Sequence, residues 1–175
     1  MKTIDWVNGA IELVDQTLLP GEFKIHQVTQ IDELITDIQR LAVRGAPALG
    51  VAGALGVALL AKQTDDAEAI KADAQRLRAA RPTAVNLSWG VDRALTKLGD
   101  GAGAVLEEAI AIRDEDIAAC VSMGLYGADL TRDLVDREKA RIMTICNTGG
   151  LATVERGTAL GVIQTIFEQG WLEEA

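Results

Sequence analysis

The apolar stretch APALGVAGALGVALLA, residues 46–61, contains only Ala, Pro, Leu, Gly and Val. It is shorter than the ~20 apolar residues that a membrane-spanning helix requires, so we interpret it as a core helix enclosed by its neighbours. Gly50, Gly53 and Gly56 allow a second helix to approach closely, at a cost of about 1 kcal/mol each relative to Ala. The stretch therefore predicts a helical core and no membrane span.

The composition of the whole chain agrees with such a core. Hydrophobic residues make up 49% of the 175 residues and aromatic residues only 3%, which favours closely packed helices over an aromatic-rich β-sandwich. This length suits one ordinary domain, or one small domain plus part of another. A formal net charge of −9 argues against a broad basic surface for nucleic acid, so an anionic ligand must be held by a few arginines and backbone amides.

Cysteine usage and the N-terminal sequence predict a cytoplasmic protein. Cys120 lies in a helical pattern and Cys146 at a strand end, so the two cysteines do not resemble a disulfide framework. The N-terminal residues MKTIDWVNGAIELVD contain several acids, unlike a signal peptide. His26 has no second ligand at metal spacing, and we therefore expect no metal site.

The residues before the apolar stretch predict two strands and one helix. AIELVD (10–15) and EFKIHQV (22–28) are β-type runs joined by a segment that contains a Pro-Gly turn signal. Apolar residues at helical spacing follow over residues 31–42. Thr29, with Asp32 three residues later, is typical of a capping box at the start of this helix.

Breaks in the pattern divide the following residues into further helices. Gly45 ends the first helix, and Pro47 suits the first turn of the second. The acids at 65–66 open a third helix, and Pro82 interrupts the pattern after it. A fourth helical face then resumes, and a long helix is predicted from about residue 104 to about residue 135.

The character of the chain changes at Arg141. RIMTIC (141–146) is a short β-type run, NTGG is a turn, and residues 151–169 follow a helical pattern, so together they predict a β-loop-α unit. We therefore predict an α+β fold. Short antiparallel strands and a helical bundle form a domain over residues 1–136, and the first β-loop-α unit of a truncated Rossmann-like α/β domain occupies residues 137–175.

Two arginines at breaks between predicted helices are candidates for holding a phosphate. In VRGAPALG (43–50), Arg44 precedes a helix start, where unpaired N–H groups and a guanidinium can bind one anion. In RPTAVNL (81–87), Pro82 holds Arg81 on extended backbone, and both arginines could converge on one phosphate. The alternative for each is a solvated arginine without a ligand.

The segment ICNTGGLAT (145–153) places Cys146 before a double-glycine turn at the carboxyl end of a predicted strand, where α/β folds bind ligands. Backbone amides and helix N-termini favour the thiolate, so Cys146 is a candidate nucleophile or polarising group. The alternative is a buried thiol that packs as a small hydrophobic residue, which is our assignment for Cys120. The acid-rich IRDEDI (112–117) is interpreted as a solvated helix face or cap.

Four segments of the chain resemble the methylthioribose-1-phosphate isomerase family. That family is related to the ribose-1,5-bisphosphate isomerases and to the regulatory subunits of translation initiation factor 2B. The segments occur in the family's order and cover most of the chain. They are LVDQTLLP (13–20), VRGAPALG (43–50), RPTAVNLSWG (81–90) and CNTGGLATVERGTALGVI (146–163).

The resemblance implies an aldose–ketose isomerase that converts 5-methylthioribose 1-phosphate to 5-methylthioribulose 1-phosphate in methionine salvage, without a metal or organic cofactor. It implies that Arg44, Gly45 and Ala46 bind the substrate. It also implies that Arg81 contacts the sugar phosphate and that Cys146 is the catalytic cysteine. The implied partner is a small-molecule sugar phosphate, with neither nucleic acid nor membrane, and full-length members of the family are expected to be homodimers.

The resemblance does not supply a catalytic acid. In the family the catalytic aspartate lies in the C-terminal α/β domain, and no acidic residue here lies in a matching motif. We therefore expect a natural truncation, a disrupted frame or a fragment that is inactive or weak alone. One alternative is a non-catalytic subunit that senses a sugar phosphate or nucleotide, like the initiation-factor branch, although such a subunit has no need of Cys146. Another is a structural remnant that pairs through the strand 141–146.

Overall fold

The computed structural model describes residues 1–175 and begins with a three-stranded antiparallel sheet. Its strands are β1 (Ile4–Val7), β2 (Ala10–Val14) and β3 (Ile25–Val28), in that spatial order. Both predicted strands are present, the second shorter than predicted because residues 22–24 lie outside β3, and β1 is an addition. Asn8 and Gly9 both have positive φ, 51° and 83°, and form the tight turn between β1 and β2 that an Asn-Gly pair favours.

The first helix, α1 (Ile31–Gln39), is shorter than predicted and is capped by different residues. Gln30 is the N-cap, and Glu33 rather than Asp32 completes the capping box, its carboxylate accepting from the N–H groups of Thr29 and Gln30. The chain leaves the helix after Gln39, and Leu41 takes a left-handed φ of 67°. The predicted extension to residue 42 is therefore wrong.

The apolar stretch forms the central helix α2 (Ala46–Gln63), in which every residue from Ala48 to Ala61 is buried. By length and composition alone this helix passes the test for a membrane span, but 78% of its most apolar window is buried inside the chain. A core helix of this kind meets the same test, and the predicted core role is confirmed.

Three further helices surround α2. Asp66 caps α3 (Ala67–Arg78) by accepting from the N–H groups of Glu68 and Ala69, and the RPTA break separates it from α4 (Val85–Leu95). The long helix α5 (Ala102–Leu134) follows. A Cβ atom at Gly90 would lie 2.0 Å from the carbonyl oxygen of Gly50, so α4 and α2 approach at backbone contact.

The C-terminal part contains the predicted β-loop-α unit in altered form. Strand β4 is only Ala140–Arg141, helix α6 is Ala159–Glu168, and a further strand β5 (Leu172–Glu174) pairs with β4 in parallel. The predicted strand 141–146 and helix 151–169 are too long. Met143 and Ile145 are 94% and 88% exposed, so nothing in the chain holds them in a sheet.

Two apolar cores result. The larger one is built on α2 and includes Val154, which comes from the loop before α6. A small one joins α5, β4, α6 and the residue before β5; its buried members are Ala128, Ala140, Ile166 and Trp171. The α+β class is confirmed, and the division of the chain between residues 136 and 137 stays a prediction.

Candidate functional site

The residues of two predicted motifs meet in one cleft of about 370 Å³. One wall is the start of α2 and the other is the loop between β4 and α6. The lining residues are Arg44, Gly45, Ala46, Pro47, Cys146, Asn147, Ala152, Thr153 and Thr158. A slightly larger cleft of about 420 Å³ lies on the N-terminal sheet and contains none of the predicted site residues.

The α2 wall presents a helix N-terminus to the cleft. Gly45 is the N-cap, with extended backbone, and a proline stands in the first turn as predicted. The N–H groups of Ala46 and Ala48 have no carbonyl within the helix to bind, and the helix dipole makes this end positive. The cleft therefore has the backbone features of an anion site.

Gly45 also allows the two walls to touch. A Cβ atom there would lie 2.0 Å from the carbonyl oxygen of Ala152 and 2.1 Å from its Cα atom. The φ of Gly45 is −68°, which any residue adopts, so the requirement for glycine comes from this close approach alone.

Arg44 is exposed at the edge of the cleft and forms no ion pair with a carboxylate of this chain. Its Nε–H donates to Oε1 of Gln16 at 3.2 Å. The amide nitrogen of Gln16 donates in turn to the carbonyl oxygen of Leu151 at 2.8 Å. Arg44 thus has one hydrogen bond that fixes it, while its charge is uncompensated and can bind an anion.

Cys146 lies opposite the helix start and is exposed, which removes the alternative of a buried thiol. Its φ of 76° places it in the left-handed region, which a non-glycine residue rarely adopts and which is often found at functional sites. The predicted placement at a strand end is wrong, because β4 ends five residues earlier, at Arg141. Cys120 is buried in α5, and the prediction that it is a core residue is confirmed.

The structure does not bring Arg81 to this cleft. Arg81 lies between α3 and α4, and its Nη1 is buried without a hydrogen-bond partner in the chain. A buried donor without a partner costs about 1–3 kcal/mol, so an anion that reached this nitrogen would relieve that cost. The convergence of Arg44 and Arg81 on one phosphate stays a prediction.

Two other residues of the RPTAVNLSWG motif, Asn86 and Trp89, line a second cleft of about 270 Å³, which shares Pro47 with the first. Asn86 and Trp89 contribute from α4, and Glu115 and Asp116 from α5. None of the four was a predicted site residue; Glu115 and Asp116 lie in the acid-rich stretch that we interpreted as a solvated helix face or cap. The helical spacing of Asn86 and Trp89, three residues apart, was the available signal that they share a face.

Residues 112–117 were interpreted as a solvated helix face or cap, and Asp114 and Glu115 are exposed, whereas Asp116 is half-buried. Its Oδ2 accepts the N–H of Val154 at 2.8 Å, which ties α5 to the loop that follows Cys146. Burial raises the pKa of this carboxyl, and the hydrogen bond from Val154 only partly opposes the effect. The thiol of Cys120 lies near Asp116, and its pKa is raised by burial and by that charge.

The cleft between Arg44 and Cys146 can therefore hold an anion beside a thiol. No aspartate or glutamate lines it. Proton transfer that needs a carboxylic acid would require one from outside these walls.

Residues 42–172 match the sequence profile described as the Initiation factor 2 subunit family. The chain belongs to this family.

The most similar curated members include sugar-phosphate isomerases. The methylthioribose-1-phosphate isomerase of Anaeromyxobacter sp. (strain K) is 46% identical over 166 residues, which span 95% of this chain and 48% of that protein. The 5-deoxyribose 1-phosphate isomerase of Moorella thermoacetica is 42% identical over 181 residues, spanning 95% of this chain and 50% of that protein. The resemblance to the methylthioribose-1-phosphate isomerase family is thus confirmed.

Two solved structures share the fold. The 5-methylthioribose 1-phosphate isomerase from Pyrococcus horikoshii OT3 aligns with a TM-score of 0.88 and 33% identity, over 98% of this chain and 51% of that one. The translation initiation factor eIF-2B subunit delta from A. fulgidus aligns with a TM-score of 0.84 and 39% identity, over 99% and 53%. The chain spans about half the length of the relatives and structures that it matches.

Proposed function

We propose that this chain forms the phosphate-binding and thiol-bearing half of an aldose–ketose isomerase site. The proposed reaction converts 5-methylthioribose 1-phosphate to 5-methylthioribulose 1-phosphate. The observation that carries the proposal is the single cleft in which the uncompensated Arg44 and the N-terminus of α2 face the exposed Cys146.

The chemistry of this substrate suits the cleft. A phosphate on C1 blocks simple ring opening, so the site must hold a dianion firmly while a proton or hydride moves between C1 and C2. Arg44 and the first-turn amides of α2 supply the electrostatic hold. Cys146 then serves proton transfer at the ring oxygen and the reacting carbons.

The substrate class is a ribose 1-phosphate with a small group at C5. Relatives of similar identity carry names for a 5-methylthio and a 5-deoxy substrate, which share the ribose and the C1 phosphate. The residues that we assign to binding, Arg44, Gly45, Ala46 and Arg81, are suited to the phosphate, so the choice at C5 rests on other contacts.

We further propose that the catalytic carboxylic acid is supplied by an α/β segment of the kind that makes up the other half of the relatives. The cleft has a thiol and one cationic side chain, that of Arg44, but no carboxylate. The 175-residue chain alone is therefore expected to be inactive or weakly active. A cytoplasmic location, and a homodimer for full-length members of the family, are part of the same proposal.

A second candidate function is a non-catalytic subunit that senses a sugar phosphate or nucleotide. The similarity to the A. fulgidus eIF-2B delta structure, at 39% identity, favours it. Such a subunit would bind its ligand through the same arginines. Ligand binding would then be independent of the Cys146 thiol, and no turnover would occur under any condition.

Turnover of 5-methylthioribose 1-phosphate distinguishes the two functions. The chain is assayed alone and after mixing with the separately expressed remainder of the P. horikoshii isomerase, that is, the part outside the 51% that it matches. We expect little turnover alone, activity after mixing, and loss of that activity in Cys146→Ala. Cys120→Ala is the matched control and retains activity. Full turnover by the chain alone would refute the proposal that the catalytic acid comes from outside this chain. No turnover after mixing would argue for the sensing subunit.

A further inference from the structure

Gln16 belongs to the LVDQTLLP segment (13–20), which contributes no residue to the lining of the cleft. It lies two residues after the end of β2 and is 6% exposed. Its backbone N–H donates to the carbonyl oxygen of Ala42 at 3.0 Å, two residues before Arg44. The main chain at Gln16 is therefore fixed against the segment that carries the arginine.

The side-chain amide of Gln16 joins the two walls of the cleft. Oε1 accepts the Nε–H of Arg44 at 3.2 Å, and Nε2 donates to the carbonyl oxygen of Leu151 at 2.8 Å. Leu151 lies in the turn that follows Cys146 and precedes Ala152. Gln16 thus fixes the position of the Arg44 guanidinium relative to the loop that carries the Cys146 thiol.

Only a carboxamide fits both hydrogen bonds. It has an acceptor oxygen for the guanidinium and a donor nitrogen for the carbonyl, whereas an ionised glutamate has no donor and an apolar side chain has neither. Because Gln16 uses only the Nε–H of Arg44, both Nη groups stay available to an anion.

The neighbours of Gln16 make this position rigid. The carboxylate of Asp15 pairs with Arg40 at 2.7 Å and accepts both the N–H and the hydroxyl of Thr17, at 3.0 and 2.6 Å. The residues on either side of Gln16 are thus both restrained by hydrogen bonds. The side-chain amide of Gln16 therefore has a fixed position, from which it can orient the guanidinium of Arg44.

We propose that Gln16 is a positioning residue that orients the guanidinium of Arg44 toward the phosphate and fixes its distance from the Cys146 loop. This inference rests on the proposed function, since it concerns how the same cleft holds its ligand. Gln16 itself does not touch the substrate. A purely structural Gln16 would instead hold the loop through Leu151 without acting through Arg44.

The test is a double-mutant cycle on binding of 5-methylthioribose 1-phosphate to the 175-residue chain, measured by titration calorimetry. Gln16→Met keeps the length of the side chain and removes both hydrogen bonds. We expect it to weaken binding about 10-fold, because a hydrogen bond that orients a charged group is lost. Arg44→Met is expected to weaken binding about 100-fold.

The double variant decides between the two roles. If Gln16 acts through Arg44, the double variant binds within about 2-fold of Arg44→Met alone. A further weakening as large as that of the single Gln16→Met variant would overturn the proposal, as would unchanged binding by that single variant. Gln63→Met is the matched control: its amide donates to the carbonyl of Thr29 far from the cleft, and binding stays unchanged.

A second measurement does not depend on the ligand. The Nε–H signal of Arg44, assigned in an NMR spectrum by its loss in Arg44→Met, is expected to exchange faster with water in Gln16→Met. If the wild-type chain binds no sugar phosphate, the proposed function fails, while this signal still decides whether Gln16 holds Arg44. An unchanged exchange rate refutes the positioning role.

Discussion

Gly45 and Ala152 are in backbone contact: a Cβ atom built on Gly45 would lie 2.0 Å from the Ala152 carbonyl oxygen. This contact brings the N-terminus of α2 against the loop that follows Cys146. Two segments about a hundred residues apart in sequence, VRGAPALG and CNTGGLAT, thereby become the two walls of one cleft.

Gly45→Ala is therefore expected to destabilise the fold by about 2–4 kcal/mol and to abolish binding of the sugar phosphate. The clash is with main-chain atoms, so no side-chain rotation relieves it. Urea denaturation gives the loss of stability, and titration calorimetry gives the loss of binding.

Gly103→Ala is the matched control for this prediction. Nothing lies within 4 Å of a Cβ atom at Gly103, in the first turn of α5. Replacing a helical glycine by alanine there is expected to be neutral or to stabilise by about 0.5–1 kcal/mol. Equal losses in the two variants would show that the contact with Ala152 is not the cause.

Helices with a clear apolar periodicity were predictable from the sequence. Segments whose structure depends on tertiary contacts rather than on their own pattern were not. The apolar run of α2 and the long α5 follow directly from helical spacing. In contrast, RIMTIC has the composition of a strand, yet Met143 and Ile145 find no partner in the chain and remain in solvent. Composition reports the preference of a segment for burial, and it does not report whether a partner is present.

The site shows the same division. Arg44 and Cys146 were recognisable as candidates, because each stands at a break between predicted elements. The link through Gln16 and the hydrogen bond from Val154 to Asp116 join residues 135 and 38 positions apart. No local pattern encodes such contacts.

The two cysteines are expected to differ sharply in reactivity. Cys146 is exposed, while Cys120 is buried and has a pKa raised by burial and by the charge of Asp116. With a thiol reagent at about pH 8, Cys120 is expected to react on the order of 100-fold more slowly than Cys146. Mass spectrometry of the labelled chain identifies each site, and Cys146→Ser should remove the fast phase.

Bound sugar phosphate should slow the labelling of Cys146 and leave that of Cys120 unchanged. Protection follows because the proposed ligand occupies the cleft that Cys146 lines. Equal labelling rates for the two thiols would contradict the structure, and rapid labelling of Cys146 at saturating ligand would contradict the proposed position of the substrate.

Asp116→Asn is expected to gain stability relative to wild type as the pH rises from about 3 to about 7. Burial raises the pKa of Asp116 in the folded chain above its unfolded value. At low pH the carboxyl is protonated in both states and burial of its charge costs nothing, whereas above the folded pKa the wild type must bury a charge. An asparagine oxygen can still accept the N–H of Val154.

The measurement is urea denaturation of both proteins across this pH range. The difference in their unfolding free energies isolates Asp116, because all other titrating groups are common to both. A difference that stays constant with pH would show that the buried charge carries no cost.

Asp15→Asn is expected to show the opposite pH dependence. Hydrogen bonds from Arg40 and Thr17, with the charge of Arg40, outweigh burial and lower the pKa of Asp15 to about 2. This contribution to stability is fully present above the unfolded pKa of 3.8 and is lost as the pH falls through about 2. The substitution should therefore cost about 2 kcal/mol near neutral pH and progressively less below about pH 4.

Asp73→Asn is a suitable control, because Asp73 pairs with Arg76 at the surface, where such a pair contributes about 0–1 kcal/mol. Asp15 also holds the main chain next to Gln16, so its loss should loosen the guanidinium of Arg44. Asp15→Asn should then bind the sugar phosphate more weakly than wild type at neutral pH, while Asp73→Asn binds it equally well. If Asp15→Asn loses stability as expected but binds the sugar phosphate as well as wild type, Asp15 stabilises the fold without helping to orient Arg44.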